Sequence, residues 1–121
     1  MPKGYDFKSL LHTLEAWKHL NDHNKYRNNY DYHLALYLLN KVLYLDNGSL
    51  LMVENALPFS AVSVLHYRYY DDRDAMLEEL KNSPDIQAVV GHQALPFGTA
   101  QHPGLGDYAD GVDTMQFLCS L

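Results

Sequence analysis

The chain contains one cysteine and one tryptophan in 121 residues. A single thiol, Cys119, excludes an internal disulfide, and nothing in the composition asks for an oxidising compartment. Basic charge is scarce: 9 Lys and Arg stand against 15 Asp and Glu, the net charge is −6, and the basic residues are scattered. Contact with a phosphate backbone needs a clustered basic face, so nucleic acid is not an expected partner. No stretch approaches the roughly 20 apolar residues of a membrane span. Met1-Pro2-Lys3-Gly4-Tyr5-Asp6 lacks the apolar run of a signal peptide. Repeats and low-complexity tracts are absent. These absences lead to the expectation of a soluble, cytoplasmic protein.

What remains is a globular composition, 47% hydrophobic and 20% charged. A chain of this length suits a single domain, 1–121, with its own core.

Asp6 is placed to cap a helix whose apolar stripe runs Phe7, Leu10, Leu11, Leu14, Trp17 and Leu20. The polar run Asn21 to Asn29 breaks or bends it. Asp31 is then read as the cap of a second helix, from Tyr32 to about Lys41, apolar all round and so buried or at an interface. Asn47-Gly48 is a strong turn signal between Val42–Leu45 and Ser49–Val53, which read as a hairpin. The alternative is that Asn47-Gly48 ends a helical tail. Asn55 to Phe59 is a loop pinned by Pro58.

Ser60 to Tyr70 reads as a long strand. Asp71 and Asp72 start a third helix, Arg73 to Asn82, with Met76, Leu77 and Leu80 on one face and Pro84 as its stop. Ile86 to Val90 follows as a short buried strand, so that strand, helix and strand form a βαβ unit with a parallel pair.

Five of the seven glycines lie between Gly91 and Gly111. This stretch is too polar for core and too long for an ordinary connector, and it reads as an ordered tail wrapped over a surface. Asp110 is placed to cap a last helix carrying Val112, Met115 and Leu118. The expected class is α/β: N-terminal helices, a small mixed sheet with a βαβ crossover, and a wrapped Gly-rich C-terminal tail.

Several groupings invite chemistry. His19 and His23 are four apart, at zinc-ligand spacing, but Leu20 stands where a metalloprotease places Glu and no third ligand is signalled; the plain alternative is two solvated histidines. His102 could serve as a general base, the role imidazoles most often take, but no Ser or Cys nucleophile is placed beside it. Cys119 lacks a base partner. Gly104-Leu105-Gly106 fails the dinucleotide fingerprint, because Tyr108-Ala109 occupy the place of the third glycine. Asp107, Asp110 and Asp113 could hold a hard cation or cap backbone. Tyr26, Tyr30, Tyr32, Tyr37, Tyr44, Tyr67, Tyr69 and Tyr70 suit either an interface or half-buried faces.

Taken together, His23-Asn24-Lys25-Tyr26, Asn28-Asn29-Tyr30-Asp31-Tyr32, Tyr44-Leu45-Asp46-Asn47-Gly48, Ser63-Val64-Leu65, Tyr69-Tyr70-Asp71-Asp72, Pro96-Phe97-Gly98 and Asp107-Tyr108-Ala109-Asp110-Gly111-Val112-Asp113 give the chain a likeness. From about Leu14 to Leu121 it resembles the C-terminal portion of bacterial acyl-CoA reductases, including the fatty acyl-CoA reductases of bioluminescence systems, within the aldehyde dehydrogenase superfamily. The resemblance implies part of an aldehyde-dehydrogenase-like catalytic domain. Its parent would reduce fatty acyl-CoA, or an enzyme-bound acyl thioester, to aldehyde with NADPH through a cysteine thioester.

The family's nucleophile and cofactor domain lie upstream of the matching region. This chain alone is therefore expected to be inactive, to bind no cofactor, and to meet acyl-CoA only through that upstream part. On the same resemblance Glu54 and Phe59 are candidate cofactor contacts, with spacing that departs from the superfamily's Glu-x-Phe-Gly-Pro. Phe97, Gly98 and His102 would form a substrate-side loop, with Thr99 in place of a second glycine. No metal is expected. A non-catalytic interaction or dimerisation domain is the alternative, and a homo-oligomer is expected on either reading.

Overall fold

A computed structural model describes residues 1–108 and 111–121. The chain divides into two compact units, Met1–Asp71 and Asp72–Leu121. Among the described residues it is a small mixed α/β protein with four α-helices, one 3-10 helix and a three-stranded sheet.

In the first unit, α1 spans Phe7–Leu14, with the Asp6 carboxylate accepting from the Lys8 amide as expected of its cap. The chain then tightens into a 3-10 helix, Glu15–Asp22, and breaks at His23, whose backbone is extended. Helix α2 follows over Asn24–Leu39. Its start lies earlier than the sequence suggests. Asp31 sits inside the helix rather than at its cap, where its carboxylate pairs with the Arg27 guanidinium one turn back at 3.0 Å. The polar run to Asn29 is thus largely helical, because that ion pair and the burial of Tyr30 outweigh the modest helix propensity of asparagine.

Strands β1 (Leu45–Asp46) and β2 (Leu51–Glu54) pair antiparallel around Asn47-Gly48, as the hairpin reading requires. Gly48 holds φ +86°, a conformation that costs other L-residues energy. Strand β3 is only Val64–Tyr67, not the long strand expected over 60–70, and it pairs parallel with β2 in the order β1-β2-β3. It starts late because Ser63 takes φ +66°, which no strand residue does.

The parallel crossover is a loop, 55–63, with no helix in it. It is shorter than the dozen or so residues such connections usually need. Side chains pin it: Asn55 Oδ1 accepts from the Leu57 amide at 3.0 Å, and Ser60 Oγ donates to the Val64 carbonyl at 2.7 Å. At the far end of β3, the Met1 carbonyl accepts from the Tyr70 amide.

The core of this unit is Tyr30, Leu51, Val53 and Val64, with Leu34, Tyr37, Val42 and Tyr44 packed against it. Positions 30, 34 and 37 lie on one face of α2, the helical period expressed as burial. Met52, on the opposite face of β2, is also fully buried, so the strand reads as an unbroken apolar run.

In the second unit, α3 spans Arg73–Lys81. Asp72 caps it, accepting from the amides of Asp74 and Ala75 at 2.9 and 3.2 Å, and Leu77 is its buried residue. Asp72→Ala should therefore fray α3, at a cost of about 1 kcal/mol, while Asp72→Asn should retain most of the cap. Hydrogen exchange at the Asp74 and Ala75 amides reads this; equal protection in both variants would refute the cap's role.

No strand follows α3 among the described residues, so the expected βαβ unit is not formed. Ile86–Val90 turns back on itself instead: the Leu95 amide donates to the Val89 carbonyl and the Gly91 amide to the Leu95 carbonyl, leaving one isolated bridge, Val90 to Leu95. Local reversal at Gly91, φ +144°, and Gln93, φ +66°, consumes the backbone groups that a sheet would have needed.

Over its described residues the Gly-rich tail runs as successive turns, with the Thr99 amide donating to Pro96, His102 to Thr99 and Asp107 to Gly104. Leu95 to Tyr108 are all exposed, so these turns are not wrapped over a surface. Its glycines serve turn geometry, as at Gly98 with φ +85°, rather than close approach. Helix α4 spans Thr114–Cys119 and is capped by Asp113, which accepts from the Gln116 amide at 2.9 Å. Asp110, the expected cap, lies outside the described residues.

Candidate functional site

A 3-10 helix of eight residues is long for its kind, because its hydrogen bonds are poorly aligned and its side chains eclipse at every third position. Here the eclipsing has a consequence. Leu14, Trp17 and Leu20, a gently turning stripe in an α-helix, stand in one row. The polar contacts along the segment share the same step: Lys18 to Glu15 at 3.3 Å, His12 to Glu15 at 3.5 Å and the His19 ring to the Ala16 carbonyl at 3.2 Å.

Two side chains tie this region to the hairpin turn. Asn21 Nδ2 donates to the Gly48 carbonyl at 2.8 Å, and the Tyr26 hydroxyl donates to the Ser49 carbonyl at 2.8 Å. The turn is itself organised by Asn47, whose Oδ1 accepts from the Ser49 amide, the Ser49 hydroxyl and the Leu50 amide.

Between the row and the turn lies a cleft of about 290 Å³ lined by Leu14, Trp17, Leu20, Tyr26, Ser49 and Leu50. Its lining carries no ionised side chain. Trp17 is 57% exposed although it is the largest apolar side chain of the unit. Burial pushes the Tyr26 hydroxyl above its ordinary pKa. Behind the turn, the buried Tyr30 hydroxyl donates to both oxygens of Asp46 at 3.0 Å. Burial, then this carboxylate, raises Tyr30 to about 12.

The residues singled out from the sequence fall elsewhere. Glu54 is exposed at the end of β2, opposite Tyr67 in the parallel register. The Tyr67 hydroxyl is raised first by burial and further by the charges of Tyr69 and Glu54. Phe59 is exposed in the crossover loop of the same unit. Phe97 and Gly98 form the exposed turn between Pro96 and Thr99, and His102 closes the following turn, its amide donating to the Thr99 carbonyl.

His19 lies in the 3-10 helix and His23 at the extended break after it, so the two do not share an α-helical face. Asp107 is committed to its own turn, accepting from the Gly104 amide at 2.7 Å. A carboxylate on that amide also disfavours a phosphate there. Cys119 is exposed, and among the described residues no three His, Cys, Asp or Glu side chains converge as a metal site.

Sequence reading registered Leu14, Trp17 and Leu20 as a helical stripe but missed the cleft. Their three-residue spacing was the only signal, and it is shared by every amphipathic helix. Asn21 and Asn47 gave no signal beyond turn composition. No described helix is long and apolar enough to cross a membrane. No family model, curated protein or solved structure matches the chain.

Proposed function

We propose that this chain works by contact rather than by chemistry of its own, as a non-catalytic interaction module. The observation that supports the reading is the apolar end of α2 and the turn beyond it, where Leu38, Leu39 and Leu43 are 60%, 79% and 91% exposed. Side chains of this size at this exposure, close together in sequence, mark a surface made to be covered. In the isolated chain the occupant is a second copy.

The resemblance to acyl-CoA reductases fits the same picture at a larger scale. On that reading the chain is the C-terminal portion of a cytoplasmic reductase that converts fatty acyl-CoA to aldehyde with NADPH. The thiolate and the cofactor are held upstream, and the leucines pack against that missing part.

Both scales are tested with one preparation. Light scattering coupled to size exclusion should give a mass that rises with concentration, and Leu39→Asp with Leu43→Asp should return it to that of one chain. A single-chain mass at every concentration in the unsubstituted protein overturns the contact reading. Mixed with NADPH and a long-chain acyl-CoA, the chain should leave NADPH unoxidised. Turnover at an enzymatic rate overturns the non-catalytic one.

A further inference from the structure

We propose that Asn47 is a self-modification site gated by the hairpin: its side chain deamidates through the Gly48 amide when the turn opens, and is held unreactive while the turn is closed. The inference rests on the turn alone and is independent of the leucine surface and of the reductase resemblance.

Asn47-Gly48 is the only Asn-Gly pair in the chain. Such a pair is prone to this reaction because a residue without a Cβ leaves the attacking amide unhindered. The Gly48 nitrogen attacks Asn47 Cγ. The N–Cγ bond forms, the Cγ–Nδ2 bond breaks, and the amide proton leaves with Nδ2 as ammonia. Water then opens the cyclic imide at either of its carbonyls, giving aspartate or isoaspartate at position 47.

The closed turn opposes each step. Attack needs the Gly48 nitrogen to lose its proton, but that N–H donates to Asp46 Oδ1 at 2.7 Å, and a carboxylate in contact disfavours an amide anion. Ring closure needs the Asn47 amide group to turn as Cγ becomes tetrahedral. Its Oδ1 is fixed by the Ser49 amide at 3.0 Å, the Ser49 hydroxyl at 3.0 Å and the Leu50 amide at 2.9 Å. Loss of ammonia needs a proton delivered to Nδ2, but Nδ2 is buried and has no hydrogen-bond partner among the described residues.

The gate is the stitching that closes the turn. Asn21 holds the Gly48 carbonyl and Tyr26 holds the Ser49 carbonyl, each at 2.8 Å. Between them β1 and β2 pair only Leu45 with Met52 and Asp46 with Leu51. So short a ladder opens locally at a lower cost than the whole unit. The reaction then prevents reclosure. Isoaspartate carries the chain through the side chain and lengthens the backbone of the turn, so the register of Asp46 with Leu51 no longer fits.

The full chain is incubated at mildly alkaline pH, in buffer and in urea above its unfolding midpoint. The tryptic peptide 42–68, between Lys41 and Arg68, is followed by mass spectrometry for the mass gain of deamidation and for isoaspartate. The folded chain should react at least about tenfold more slowly than the unfolded one. Tyr26→Phe and Asn21→Ala each remove one stitch and no atom of the Asn47-Gly48 pair. Each should speed the folded reaction about fivefold and leave the rate in urea unchanged. Equal rates in buffer and in urea would overturn the assignment. So would a faster rate in buffer, which would make the three donors on Oδ1 an oxyanion hole. Unchanged folded rates in both variants, with native circular dichroism, would overturn the gate.

Discussion

Leu51→Ala is expected to cost the first unit about 2–5 kcal/mol. Leu51 is wholly inaccessible and sits in the cluster with Tyr30, Val53 and Val64. The substitution removes the transfer energy of the deleted carbons and leaves a cavity that the neighbours can only partly close. Relaxation is limited because β2 is held on both sides, by β1 and by β3, and Met52 fills its other face. A cost of this size is a large fraction of an ordinary domain's stability. In urea unfolding it should appear as a lowered midpoint with the slope unchanged. Leu57→Ala, at a residue 64% exposed in the crossover loop, should cost less than about 0.5 kcal/mol. If both substitutions cost the same, the core is not where this fold places it.

The second large effect is alkaline. Tyr30 titrates at about 12 in the folded chain against 10.0 for an ordinary tyrosine, through burial first and the Asp46 carboxylate second. The folded pKa is the raised one. The associated stability is therefore complete below pH 10.0, falls as the unfolded chain ionises first, and is gone above about 12. The loss amounts to roughly 2–3 kcal/mol across that window.

Tyr26, Tyr37 and Tyr67 are raised as well, each chiefly by burial, and add in the same direction. Tyr30→Phe should cost about 1 kcal/mol at neutral pH through the lost hydrogen bond. In return it should flatten the alkaline limb. Denaturation followed from pH 8 to 12 tests this, and an alkaline limb identical in both proteins would show that Tyr30 ionises freely.

Much of the local structure was legible in the residues. Asp6 and Asp72 cap where their position before an apolar periodic run says they should, because capping needs only a short acceptor and free amides two or three residues on. Asn47-Gly48 turns the hairpin because few other dipeptides enter that backbone cheaply. The failures share one cause, which is that regular structure needs partners the local sequence does not name. Ile86–Val90 has the composition of a strand but satisfies its backbone with Leu95. Arg27 and Asp31 look like a loop residue and a cap until they are seen one helical turn apart. Ser63, at φ +66°, delays the start of the strand to Val64, and nothing in Ser60–Tyr70 announces it.

The same division holds for function. By itself the sequence determined the class of helices with a mixed sheet, the caps, the hairpin and the poverty of basic charge, all of which depend on residue type and spacing of a few positions. The tertiary structure alone decided that the parallel pair is joined by a pinned loop and that Leu14, Trp17 and Leu20 align in a 3-10 row. It alone brought the side chains of Asn21 and Tyr26 onto the carbonyls of Gly48 and Ser49. Hydrogen bonds between residues 16 to 27 positions apart, from Tyr30 to Asp46, Tyr26 to Ser49 and Asn21 to Gly48, make that arrangement. Contacts at such separation depend on how the whole unit closes, which no local pattern encodes.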